Sequence, residues 1–143
     1  MDIRYITEDY AVSPQIQPAD VSELAQQGFT LVICNRPDSE VSGDEASAAI
    51  AAACKDAGLD FVRIPVDHSG LTPEMLAAHR SAVETAEGKA FAYCRSGTRS
   101  THIWALGQAG RMPASEIIAS GARGGYDLSP LAPTIDALAK AAD

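Results

Sequence analysis

Apolar positions along this chain fall into short runs separated by polar, glycine- and proline-containing breaks. Ile3–Tyr5 and Tyr10–Val12 are split by Glu8-Asp9, which predicts a short hairpin or two edge strands. Pro18-Ala19-Asp20 opens a helix through Val21, Leu24 and Ala25 that stops at Gly28. Phe29–Cys34 is an apolar run of the kind found in strands buried on both faces, and Asn35-Arg36-Pro37-Asp38 ends it. An alanine-rich helix is expected over Asp44–Ala57, closed by Gly58, and a strand over Phe61–Val66. Thr72-Pro73-Glu74 supplies a hydroxyl cap, a proline at the first helical position and an acid in the first turn, so a helix runs from there to about Ala86. Ala90–Tyr93 is the third buried strand. A helix follows to near Gly110, and two more are expected over Pro113–Ala122 and Leu131–Ala142.

Alternation of strand and helix predicts an α/β domain: a central, mostly parallel sheet with helices on both faces. Ligands of such sheets lie beyond the carboxyl ends of the strands. Three ends meet there: Cys34 to Asp38, Val66-Asp67-His68, and Cys94 to Arg99. No repeat or linker divides the 143 residues, so one domain spanning 1–143 is expected.

Net charge changes the picture only by exclusion. At −8 the chain is a poor general partner for nucleic acid or an anionic membrane. No apolar run approaches the roughly 18–20 residues that span a bilayer. The acidic, polar start is unlike a signal peptide. Three cysteines without paired or metal-like spacing predict free thiols in a reducing cytoplasm.

The chemistry concentrates in Tyr93-Cys94-Arg95-Ser96-Gly97-Thr98-Arg99-Ser100, where a strand stops and a helix begins. Free amides and the partial positive charge of a helix start favour anions. That field and two guanidiniums favour the thiolate, which is the nucleophile. Cys94 is therefore the candidate nucleophile and Arg99 the anion holder. Arg95, Ser96, Gly97, Thr98 and Ser100 form the substrate-binding loop, with Arg95 on its rim and Ser100 as a donor to the thiolate or a helix cap. Two conditions follow: the thiol must meet solvent, and the neighbouring amides must turn toward it. Asp67 is a candidate general acid. His68 and His102 are weaker proton carriers, Cys34 is a core thiol or a resolving partner, and Cys54 is packing. Arg36-Pro37-Asp38 is expected to brace the loop, and Gly124-Gly125-Tyr126 to form a plain turn or an outer wall.

CRSGTRS resembles the active loop of rhodanese-type sulfurtransferases. It is also close to the phosphate loop of tyrosine and dual-specificity phosphatases. Tyr10–Ser13, Gln27–Phe29, Val32–Asp38 and the Cys94 loop together resemble the bacterial β-lactamase-hydrolase-like family of phosphatase-fold domains, over residues 1 to about 110. The resemblance implies a phosphatase-like fold, sulfurtransferase activity, and association with sulfide- or persulfide-oxidising enzymes. Four residues separate Cys94 from Arg99, one fewer than in the phosphatase pattern, and Tyr93 replaces the histidine that precedes the phosphatase cysteine. A shorter loop offers fewer amides to a tetrahedral phosphate. The leading expectation is thus a cytoplasmic sulfurtransferase. Cys94 would take sulfur from thiosulfate or a low-molecular-weight persulfide and pass it to a thiol or cyanide, with no cofactor or metal. A cysteine-dependent phosphatase, with Asp67 as acid, is the alternative. A non-catalytic thiol sensor is the third.

Overall fold

The computed structural model describes residues 1–142, so the last residue of the expected domain lies outside it. Five strands form one sheet in the order β1-β2-β5-β3-β4. They are β1 (Arg4–Tyr5), β2 (Tyr10–Ser13), β3 (Phe29–Cys34), β4 (Asp60–Arg63) and β5 (Lys89–Tyr93). Only β1 is antiparallel; β2, β5, β3 and β4 run parallel. The mostly parallel α/β architecture read from the periodicity is the one observed.

The helices are α1 (Val21–Gln26), α2 (Ser47–Ala57), α3 (Pro73–Thr85), α4 (Thr98–Gly107), α5 (Ala114–Arg123) and α6 (Ala132–Ala142). On one face α1 and α2 cover a core of Ile16, Leu24, Val32, Cys34, Ile50, Cys54, Phe91 and Tyr93. On the other, α3 to α6 bury Tyr10, Val12, Ile33, Ala92, Ile103, Trp104, Ile117 and Ile135. Successive residues of β3 and β5 serve opposite cores, as the two-residue repeat of a strand requires.

Two expectations change. The hairpin forms, but β2 is no edge strand: all four of its residues are buried and pair with β5. Its brevity made it look peripheral, whereas β1 takes the edge. Strand β4 stops at Arg63, short of the expected Val66. Residues 64–66 nevertheless stay attached to the end of β3, where Ile64 N–H donates to the Cys34 carbonyl at 2.9 Å.

Candidate active site

Strand β5 ends at Tyr93, and α4 starts at Thr98 with Gly97 as its N-cap. Gly97 has φ +89°, the left-handed region that favours glycine. A Cβ there would stand 2.1 Å from the Tyr126 hydroxyl. That hydroxyl donates to the Ser96 carbonyl at 2.9 Å. Tyr126 therefore walls the loop, where a plain turn was the favoured expectation for this stretch. The turn places the Gly97 N–H 3.1 Å from Cys94 Sγ, to which it donates. The expected amide-to-sulfur contact is thus present.

The other condition is not met. Cys94 is fully buried. The loop residues Arg95, Ser96 and Thr98 beside it are exposed, so a reactant reaches the sulfur only if the loop shifts. Ser96 and Thr98 satisfy each other: Ser96 Oγ donates to Thr98 Oγ1 at 2.9 Å and accepts from the Thr98 N–H at 3.4 Å. Ser100 is buried and its Oγ has no partner among the described residues, so the expected bond to the thiolate is not formed. It is not the helix cap either, because Gly97 holds that position.

Arg99 is fixed by groups the sequence did not single out. Its Nη1 donates to Glu40 Oε2 and to the Val66 carbonyl, and its Nη2 to Glu40 Oε1, all at 2.8 Å. Glu40 ends a 3-10 turn, Asp38–Glu40, beyond β3. The opposite edge of the guanidinium, Nε–H beside the second Nη2 hydrogen, bonds to no protein oxygen among the described residues. The Glu40 carboxylate, and to a smaller extent the Cys94 sulfur, hold Arg99 above the usual arginine range. The same bonds, led by Arg99, lower the Glu40 carboxyl.

Arg36 makes no bond to the Cys94 loop and reaches it only indirectly, through Glu40 Oε1 at 3.2 Å and Gln15 Oε1 at 3.2 Å. The Gln15 N–H donates to the Arg95 carbonyl at 3.4 Å. Asp38 does not touch the loop. Its carboxylate accepts from the Ser47 N–H and hydroxyl at 2.8 and 2.7 Å, capping α2. Arg95 is the one arginine whose side chain has no hydrogen-bond or ion-pair partner among the described residues, consistent with a rim position.

Asp67 is exposed and turned into its own loop, accepting from the Ser69 N–H at 2.8 Å and the Ser69 hydroxyl at 2.5 Å. Those bonds hold its carboxyl below the usual range, the wrong direction for a general acid. No bond joins it to Cys94 or Arg99. His68 is exposed beside it. His102 is half-buried on α4 and burial lowers its pKa; it too makes no bond to the loop. Cys34 is not a resolving thiol. It packs with Tyr93 in the α1–α2 core and its thiol donates to the Arg36 carbonyl at 3.3 Å. Among the described residues no cluster of His, Cys, Asp and Glu is arranged to hold a metal ion.

The family profile of the phosphatase-like domain of beta-lactamase hydrolase-like proteins matches residues 2–111. The chain belongs to this family. A beta-lactamase hydrolase-like protein of Agrobacterium fabrum is 35% identical over 125 residues, which are 86% of this chain but 29% of that protein. A counterpart from Xylella fastidiosa is 34% identical over 90% of this chain and 30% of its own length. The chain thus spans less than a third of the curated relatives it matches. A candidate phosphatase of Neisseria meningitidis has a solved structure that is 32% identical, with TM-score 0.83, covering 96% of this chain and 99% of that one. The phosphatase Tk-PTP shares the fold, with TM-score 0.70 over 97% of each chain, at 15% identity. The family domain is thus phosphatase-like in fold, as its sequence resemblance implied. The family domain is described as phosphatase-like and the Neisseria structure as a candidate phosphatase, so the comparisons favour the phosphatase alternative over the sulfurtransferase expectation.

Proposed function

We propose that this chain is a cysteine-dependent hydrolase of the phosphatase type, acting on a monoester of a tetrahedral oxyanion. The carrying observation is the Arg99 guanidinium. Glu40 and Val66 take one end and leave the Nε/Nη2 edge as a fork for two oxygens, beside a sulfur that already accepts the Gly97 amide. Planar forks of this kind suit bidentate recognition of oxyanions. Cys94 thiolate attacks phosphorus, the ester oxygen leaves, and water then cleaves the thiophosphate. Asp67 has to release Ser69 and gain a proton before it can act as acid, so substrates with good leaving groups, such as aryl phosphates, are turned over best.

Sulfane-sulfur transfer through a Cys94 persulfide is the second reading. It is favoured by the short Cys94–Arg99 spacing and by the absence of a poised acid, which sulfur transfer does not need. It carries with it a thiosulfate or small-persulfide donor, a thiol acceptor, and a sulfide- or persulfide-oxidising partner enzyme. Three free, buried thiols accord with a reducing compartment such as the cytoplasm under either reading.

One pair of assays separates them. Aryl phosphate hydrolysis lost in Cys94→Ser supports the first reading. A persulfide on Cys94 after thiosulfate, with thiocyanate formed from cyanide and no phosphate released, supports the second. Inertness of wild type in both assays overturns the enzyme reading and leaves a thiol sensor.

A further inference from the structure

We propose that Asn35 is a positioning residue that holds Arg99 in line through the backbone of residues 64–66. This rests on the reading of Arg99 as the oxyanion holder. Asn35 follows β3 and is fully buried. Its N–H donates to the Tyr93 carbonyl at 2.9 Å, immediately before the nucleophile. Its own carbonyl accepts from the Val66 N–H at 2.8 Å, and its Nδ2 donates to the Ile64 carbonyl at 2.9 Å. One residue thus ties the strand that ends at Cys94 to the segment whose Val66 carbonyl receives Arg99 Nη1 at 2.8 Å.

Regular pairing of β4 with β3 ends at Arg63, and beyond it the segment is held by the Cys34 and Asn35 carbonyls, which accept from the Ile64 and Val66 N–H groups, and by the Asn35 side chain. The side-chain bond matters because Glu40, the other attachment of Arg99, is one-third exposed and screened by solvent, whereas Val66 is buried. The Val66 carbonyl is the buried end of the clamp. When the Ile64 carbonyl loses Nδ2, residues 64–66 drift, the Val66 carbonyl moves off Nη1, and the oxyanion fork rotates. The departure point of the Asp67 loop moves with it.

Asn35→Asp keeps the shape of the side chain and replaces the Nδ2 donor with an acceptor. Titration of inorganic phosphate into the whole chain by calorimetry gives the affinity. The expected result is about 10-fold weaker phosphate binding, the loss of one buried hydrogen bond transmitted to the fork. The aryl phosphate KM should rise by a similar factor while kcat changes less. The deciding measurement repeats the substitution in Arg99→Lys, which keeps the charge but cannot span Val66 and Glu40 together. A positioning role predicts that Asn35→Asp then weakens phosphate binding less than about two-fold. The same loss in both backgrounds overturns the proposal and leaves Asn35 a plain core residue. If Asn35→Asp does not fold, Asn35→Ser, uncharged and too short to reach the Ile64 carbonyl, takes its place with the same two expectations. Wild type that binds no phosphate, with Arg99→Ala indistinguishable from it, overturns the reading of the site itself and the brace with it.

Discussion

Replacing Glu40 by glutamine tests whether Arg99 is held for its task or held away from it. The wild-type carboxylate makes two charge-assisted bonds to Arg99, both 2.8 Å long, and a third contact to Arg36 at 3.2 Å. The side chains of Arg99 and Glu40 are 26% and 34% exposed, so solvent screens the pair. Exposed ion pairs contribute about 0.2–1 kcal/mol, and a bidentate geometry puts this one near the top, about 1 kcal/mol. Glutamine keeps one acceptor but turns an NH2 toward the second guanidinium nitrogen. If that energy fixes the fork, phosphate affinity and kcat/KM for an aryl phosphate fall about five-fold, while unfolding in urea shifts by no more than about 1 kcal/mol. The pH dependence has a definite sign. The Glu40 carboxyl is lowered, chiefly by Arg99, so its contribution is complete above the ordinary glutamate pKa of about 4.3 and is lost only as pH falls through the lower folded value. The two proteins should therefore differ by a constant factor from pH 7 to 5 and converge in stronger acid. Unchanged phosphate affinity in Glu40→Gln refutes this reasoning. Tighter affinity does so more sharply, since it makes Glu40 a competitor for the fork.

Gly97→Ala should disrupt the loop: the left-handed backbone and the clash of the added Cβ with the Tyr126 hydroxyl together destabilise the chain by more than about 1 kcal/mol, read by thermal unfolding. Wild-type stability in that variant would show that the Cys94 turn is not the one described. His79 is buried on α3 with its Nε2 3.4 Å from the Tyr10 hydroxyl, and burial lowers its pKa to about 3. The unfolded chain then binds the extra proton first, so stability is full above about pH 6.5 and falls on acidification by up to about 1.4 kcal/mol per pH unit. Urea titrations at pH 7, 6 and 5 should show that slope, and His79→Phe should flatten it; equal slopes would assign the acid sensitivity to other groups. Asp67→Asn should change aryl phosphate turnover less than about three-fold, because the carboxylate is held by Ser69 away from the loop. A loss of a hundred-fold or more would mean that the Asp67 loop closes onto the substrate.

The parts of this molecule that depend on one segment at a time were legible. The apolar runs of β3 and β5 announce interior strands, and a strand–cysteine–glycine–helix junction can be read without any partner. Contacts that depend on the path of the chain were not legible. Glu40 sits in a polar stretch with no periodicity, yet it carries the principal hold on Arg99. Gln15 and Asn35 act largely through backbone groups, which composition cannot reveal. His79 lies among polar neighbours on an amphipathic helix, so its burial depends on how α3 packs against α4. The buried state of Cys94 was missed for the same reason. A loop composition suited to an anion says nothing of how deep the sulfur lies.

The two sheet faces give the three thiols unequal fates under oxidants. Cys34 and Cys54 sit together in the α1–α2 core, and burial raises both thiols, Cys54 to about 12. Cys94 lies one residue past Tyr93, outside that core, with no second thiol in the core on the other face of the sheet among the described residues. A sulfenic acid formed there has no neighbour with which to close a disulfide. Recovery after peroxide exposure must come from small thiols, and substrate bound over the loop should shield the sulfur from both damage and repair.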